Sequence, residues 1–130
     1  MISLKATLKA ITKALSVDYI VEQGTSGIWT YRKWNSGIAE CWGTKTVAPS
    51  ISDDWGNWKE GKISDKLSYP SGLFVENPAF FVGTNTTSNA FVFEHWEAGS
   101  ATQTPLIYGS RPYAATFTAT ICLRAVGRWK

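Results

Sequence analysis

Ile28-Trp29-Thr30-Tyr31-Arg32-Lys33-Trp34-Asn35-Ser36-Gly37-Ile38-Ala39-Glu40-Cys41-Trp42 is the stretch whose reading decides the fold. Residues 28–34 are dense in aromatic and β-branched side chains, which favour a pleated strand. Asn35-Ser36-Gly37 supplies turn residues, with Gly37 suited to a positive φ, and 38–42 resume the strand pattern. A three-residue loop ending in glycine fits a type I turn closed by a G1 bulge, so the stretch predicts a β-hairpin. Alternation puts Trp29 with Tyr31 on one face and Trp34 with Ile28 on the other. Aromatics on both faces read as core and subunit contact rather than as a ligand platform.

Toward the C-terminus the period of two continues. Ala79–Val82, Ala90–Trp96 and Leu106–Tyr108 are short strand patterns, and Ala114–Trp129 is a long one. In the last, Phe117, Ala119, Ile121, Leu123 and Ala125 share one face, and Thr116, Thr118, Thr120, Cys122, Arg124 and Val126 share the other. Gly43, Pro49, Gly56 and Gly61 break 43–68 into pieces. Within them Asp53-Asp54-Trp55-Gly56-Asn57-Trp58 reads as an exposed loop, like 84–89 and 97–104. Toward the N-terminus the period changes. Leu4, Leu8, Ile11 and Leu15 follow a +4, +3, +4 spacing, with Ala6, Ala10 and Ala14 favouring helix. Leu8 and Leu15 fall at heptad position a and Leu4 and Ile11 at d, a choice that leans toward three or four strands. Lys5, Lys9 and Lys13 lie away from that seam. The plan is therefore a mainly β protein, a β-sandwich or jelly roll of six to eight strands in 18–130, preceded by a short helix in 1–17.

The composition agrees. The chain has 130 residues, of which 44% are hydrophobic, 18% charged and 14% aromatic, with seven tryptophans. That is one domain, neither disordered nor in need of a disulfide or metal for its core. Area scaling gives roughly 6,800 Å² of folded surface. No apolar run is long enough for a membrane helix. The lysines spread through residues 1–15 do not fit a signal peptide. A net charge of +3 is too small and too dispersed for a nucleic-acid footprint. Cys41 and Cys122 read as buried thiols.

Chemistry that needs convergent groups finds little. The one histidine, His95, lies in a strand pattern between Glu94 and Trp96, with no Gly-x-Ser-x-Gly elbow, so no catalytic triad is read. One histidine and two distant cysteines do not make a metal site, and no phosphate loop or other cofactor motif occurs. Glycoside hydrolysis needs two carboxylates about a sugar. Nothing in the spacing of Glu22, Glu40, Asp53, Asp54, Glu60, Asp65, Glu76, Glu94 and Glu97 argues for such a pair. Binding a sugar without cleaving it asks for aromatic walls and a few polar groups. Asp53, Asp54, Trp55, Asn57 and Trp58 bring those types into one short segment. Trp96, beside His95, is left without a role.

The hairpin Trp29–Trp42 also resembles a W-x-Y-x-K-W-x-S/D-G-x-x-E-x-W signature of C-terminal domains in phage and prophage tail proteins. Asp18–Gly24 is similar to the usual lead-in and Ala125–Lys130 to the closing strand. The resemblance implies a β-sandwich at the distal end of a tail fibre or baseplate protein, commonly a homotrimer on a helical stalk and often binding cell-surface saccharide. It implies no enzymatic activity and no cofactor. Its partners would be other copies of the chain, other tail or baseplate proteins and a host cell-surface glycan. Its place would be the virion tail, or the cytoplasm for a prophage product. Under this expectation Leu4, Leu8, Ile11 and Leu15 set the three-fold axis, Trp29 and Trp34 bury subunit contacts, and the loops 53–58, 84–89 and 97–104 face the host. The alternatives are a monomeric carbohydrate-binding module and a small glycosidase.

Overall fold

The computed structural model describes residues 3–14, 17–84 and 89–130, apart from the side chains of 12–14. The helix α1 spans Leu4–Ala14. The Ser3 side chain caps it, its Oγ accepting from the Ala6 amide at 3.1 Å, as a free helix N-terminus requires. Leu15 lies outside the described residues.

Eleven antiparallel strands follow among the described residues. They are β1 (Ile20–Ser26), β2 (Trp29–Trp34), β3 (Ile38–Val47), β4 (Ser50–Ile51), β5 (Asp53–Trp55), β6 (Trp58–Ser64), β7 (Ala79–Thr84), β8 (Val92–Glu97), β9 (Leu106–Arg111), β10 (Ala115–Thr116) and β11 (Ala119–Arg128). A five-stranded sheet has the order β1-β2-β3-β11-β7 and a four-stranded sheet the order β5-β6-β9-β8, with β4 and β10 forming a small ribbon. The chain crosses between the two large sheets after β3, β6, β7 and β9, which makes a sandwich. The hairpin 28–42 is present as read. Its Gly37 has φ 99° and donates its amide to the Trp34 carbonyl at 2.9 Å.

The core lies between the sheets. Ala39, Cys41 and Val47 of β3 and Ala119, Ile121, Leu123 and Ala125 of β11 face inward against Ile63 of β6 and Ile107 of β9, with Ile51, Tyr69, Leu73 and Phe74 closing the sides. Burial pushes the Cys41 thiol up to about 12.

Four expectations change. There are more strands than six to eight, because 43–68 is not broken coil. It carries the tail of β3 and all of β4, β5 and β6. Trp29 is no subunit contact. It is buried in its own core, its indole N–H donating to the Ser68 carbonyl at 2.8 Å. Trp34 is on the outer face and half-buried. Cys122 is exposed, because Ile121 and Leu123 take the inward positions of β11. Finally, 53–58 and 97–104 cannot face one surface. Lys59 pairs with Arg111 at one end of β9, and Glu97 pairs with Leu106 at the other. Most of 84–89 falls outside the described residues.

The inward assignment of β11 is testable. Ile121→Ala should cost about 2–5 kcal/mol of stability and lower the urea midpoint. Phe81→Ala, on the outer face of the same sheet, should stay within about 0.5 kcal/mol.

Candidate functional site: the outer face of the four-stranded sheet

Asp53–Trp58 is a hairpin rather than a loop. Trp55 and Trp58 stand opposite each other across the two-residue turn Gly56-Asn57. Gly56 has φ 62°, as the primed turns of two-residue hairpins want at their first central position. The strand period of two then decides which side chains meet. Gly61, Ile63, Ile107, Gly109 and Phe93 face the core. Trp58, Glu60 and Lys62 of β6 therefore face out, with Ser110 and Tyr108 of β9 and Val92, Glu94 and Trp96 of β8.

The register arranges these in rows across the sheet. Trp55 and Trp58 form the first. Asp53, Glu60, Ser110 and Val92 form the second, and Lys62, Tyr108 and Glu94 the third. Trp96 follows at a bulge and packs on Tyr108, ring centroids 5.3 Å apart. Trp55, Trp58 and Trp96 are 50%, 41% and 51% exposed. Trp55, Trp58, Val92 and Glu94 wall a shallow groove of about 410 Å³, with the small side chain of Ser110 also lining it. At strand rise, the row of Tyr108 lies about 13 Å from that of Trp58. The face thus offers two aromatic platforms with carboxylates between them.

Of the five residues expected to bind ligand, Trp55, Trp58 and Asp53 come together here. Asp54 turns to the opposite face and pairs with Lys59, whose ammonium holds the carboxyl below its ordinary range. Asn57 sits exposed in the turn. The structure adds Val92, Glu94, Trp96, Tyr108, Ser110 and Glu60. Alternation in Val92-Phe93-Glu94-His95-Trp96 carried a signal for three of them. His95 takes the other side of β8, its ring 6.1 Å from Phe80. Among the described residues no group of three histidine, cysteine or acidic side chains is placed to hold a metal ion.

The carboxylates are strained electrostatically. Glu60 Oε2 and Glu94 Oε1 are shut off from solvent with no hydrogen-bond partner among the described residues. Desolvation first, and then the charges of Glu94 and Asp53, raise the Glu60 carboxyl above its usual range. A folded-state value above the unfolded one penalises the fold once pH exceeds both, and the penalty fades as pH falls through the carboxylate range. Glu60→Gln should therefore raise the thermal midpoint at neutral pH, with the gain shrinking toward zero on acidification. A midpoint lowered at neutral pH would show that the Glu60 charge is compensated.

Comparison with protein-family models, with curated proteins and with solved structures finds no match to this chain.

Proposed function

We propose that this chain is a non-enzymatic, tail-associated domain of a phage or prophage, a homotrimer joined through α1, that holds a host cell-surface saccharide on the outer face of its four-stranded sheet. The observation that carries the reading is the open apolar stripe of α1. Leu4, Leu8 and Ile11 are 86%, 63% and 52% exposed. Leu8 lies across a cavity of about 580 Å³ from Ile20 and Val21, themselves exposed at the start of β1. A helix of 11 residues is marginal in water without support, and a stripe at positions a and d finds that support in further copies of itself. The chain exposes 7992 Å², about 1,200 Å² more than its size calls for.

The hairpin signature gives this stripe its biological setting. A stalk-borne trimer presents three equal sites, and three weak contacts with a repetitive glycan surface gain avidity. Neighbouring tail or baseplate proteins are the expected partners, and the virion tail is the expected place. A second reading, a monomeric carbohydrate-binding module, draws on one feature: the aromatic and acidic face is complete within a single chain.

Light scattering after size exclusion separates the two. The proposal expects three times 14.3 kDa at micromolar concentration. It expects the double variant Leu4→Glu, Ile11→Glu to run as a monomer with an unchanged sandwich melt. A wild-type monomer that still binds saccharide through Trp55 would establish the second reading instead. Release of reducing ends from a bound oligosaccharide would replace binding with hydrolysis.

A further inference from the structure

The strands of the four-stranded sheet carry five acids, Asp53, Asp54, Glu60, Glu94 and Glu97, and three bases, Lys59, Lys62 and Arg111. This acidic excess sits in a chain of net charge +3. Two of the bases are taken locally. Lys59 pairs with Asp54 on the far face and Lys62 with Asp65 at 2.8 Å. Arg111 lies on the side opposite Glu60 and Ser110 and donates to Asn89 at 3.3 Å. Glu60 and Glu94, in adjacent rows, have no salt bridge among the described residues. Each has one oxygen without a hydrogen-bond partner there, and no cation lines the groove beside Trp55 and Trp58.

We infer that the groove takes an amino sugar with a free ammonium group, its apolar ring face against Trp58 or Trp55 and its ammonium toward Glu94 and Glu60. This rests on the saccharide reading and narrows it. An ammonium relieves the repulsion between the two carboxylates and makes charge-assisted hydrogen bonds to the carboxylate oxygens that remain open to the groove, Glu60 Oε2 and Glu94 Oε1 being closed to it. It is also attracted to the faces of the tryptophans. An N-acetylated sugar fills the same space without the charge. A uronic acid or a phosphate-bearing glycan adds a like charge to a poorly solvated site, which disfavours it.

The test is calorimetric titration of the wild-type protein with glucosamine oligomers, with N-acetylglucosamine oligomers of equal length and with uronic acid oligomers, near neutral pH. The expected result is about tenfold tighter binding of the free amine than of the acetylated form, and no binding of the acid. Glu94→Gln and Glu60→Gln should each erode the preference for the amine without lowering the melting midpoint. Trp58→Ala should weaken every oligomer that binds. Equal or tighter binding of the acetylated form, still dependent on Trp58, overturns the inference and leaves the saccharide reading standing. Amine binding that survives Trp55→Ala and Trp58→Ala is unspecific attraction to an acidic surface and also overturns it. Failure of all three oligomers removes the saccharide reading itself.

Discussion

The antiparallel pairing of β3 with β11 is the constraint on which the rest depends. Ten residue pairs run unbroken from Val47 with Ala119 to Ile38 with Arg128. Side chains alternate with a period of two, so a slip of one residue would turn Ile121 and Leu123 out and drive Cys122 and Arg124 into the core. The register also delivers the C-terminus to the β2–β3 turn. The Trp129 indole N–H donates to the Trp34 carbonyl at 2.7 Å, and Arg128 donates to the Ser36 carbonyl at 3.1 Å. From the other end of the chain, the Asp18 carboxylate accepts from the amide and hydroxyl of Ser36. The Ser36 hydroxyl, above all, holds the Asp18 carboxyl below its ordinary range. The turn is thus gripped by segments from both ends of the sequence.

The same period of two builds the candidate site. A sheet with one face in the core ordinarily turns a polar face to water. Here the inward set Gly61, Ile63, Ile107 and Gly109 leaves Trp58, Tyr108 and Trp96 outside, and the tight hairpin adds Trp55. The outer face of this sheet is therefore aromatic, edged by carboxylates, where an ordinary solvated face is polar. Strands hold rings more firmly than a loop would. The spacing between Trp58 and the Tyr108–Trp96 pair is therefore a fixed feature of the scaffold, which suits recognition of a stiff, extended ligand.

What the sequence made legible was local. The hairpin 28–42 announced itself through its own turn, and the Leu4–Ile11 stripe through its own period. The inward set Ala119, Ile121, Leu123 and Ala125 was also readable. For Cys122 the alternation pointed outward, and the usual burial of cysteine was a weaker guide than the strand it sat in. What stayed hidden was non-local. Asp53–Trp58 is polar and contains Gly56 and Asn57, so it reads as a loop until its pairing is known. Glu60 and Glu94 are 34 positions apart in sequence and become neighbours only because β6 and β8 flank β9. Trp29 and Trp34 look alike in the sequence. Only the second sheet decides that one is core and the other surface.

Charge shows the same division between global and local. A net +3 taken as one number gives the chain a mildly positive sign. Yet a bound ligand feels the groups within about 8–10 Å, the screening length at physiological salt. At the groove those include Glu94, Glu60 and Asp53, while Lys59 and Lys62 are engaged by Asp54 and Asp65. The charge beside the groove therefore has the opposite sign to the net charge of the whole molecule. The basic surplus lies elsewhere, including Arg32 over the Trp42 ring at 5.0 Å and Lys33 and Lys130 near Trp129. Those cations lie over the rings of Trp42 and of Trp129, beside the five-stranded sheet, whereas among the described residues no cation lies over the tryptophans of the groove. The two sheets thus treat their exposed rings differently: one carries cations beside Trp42 and Trp129, the other a carboxylate beside Trp55 and Trp58.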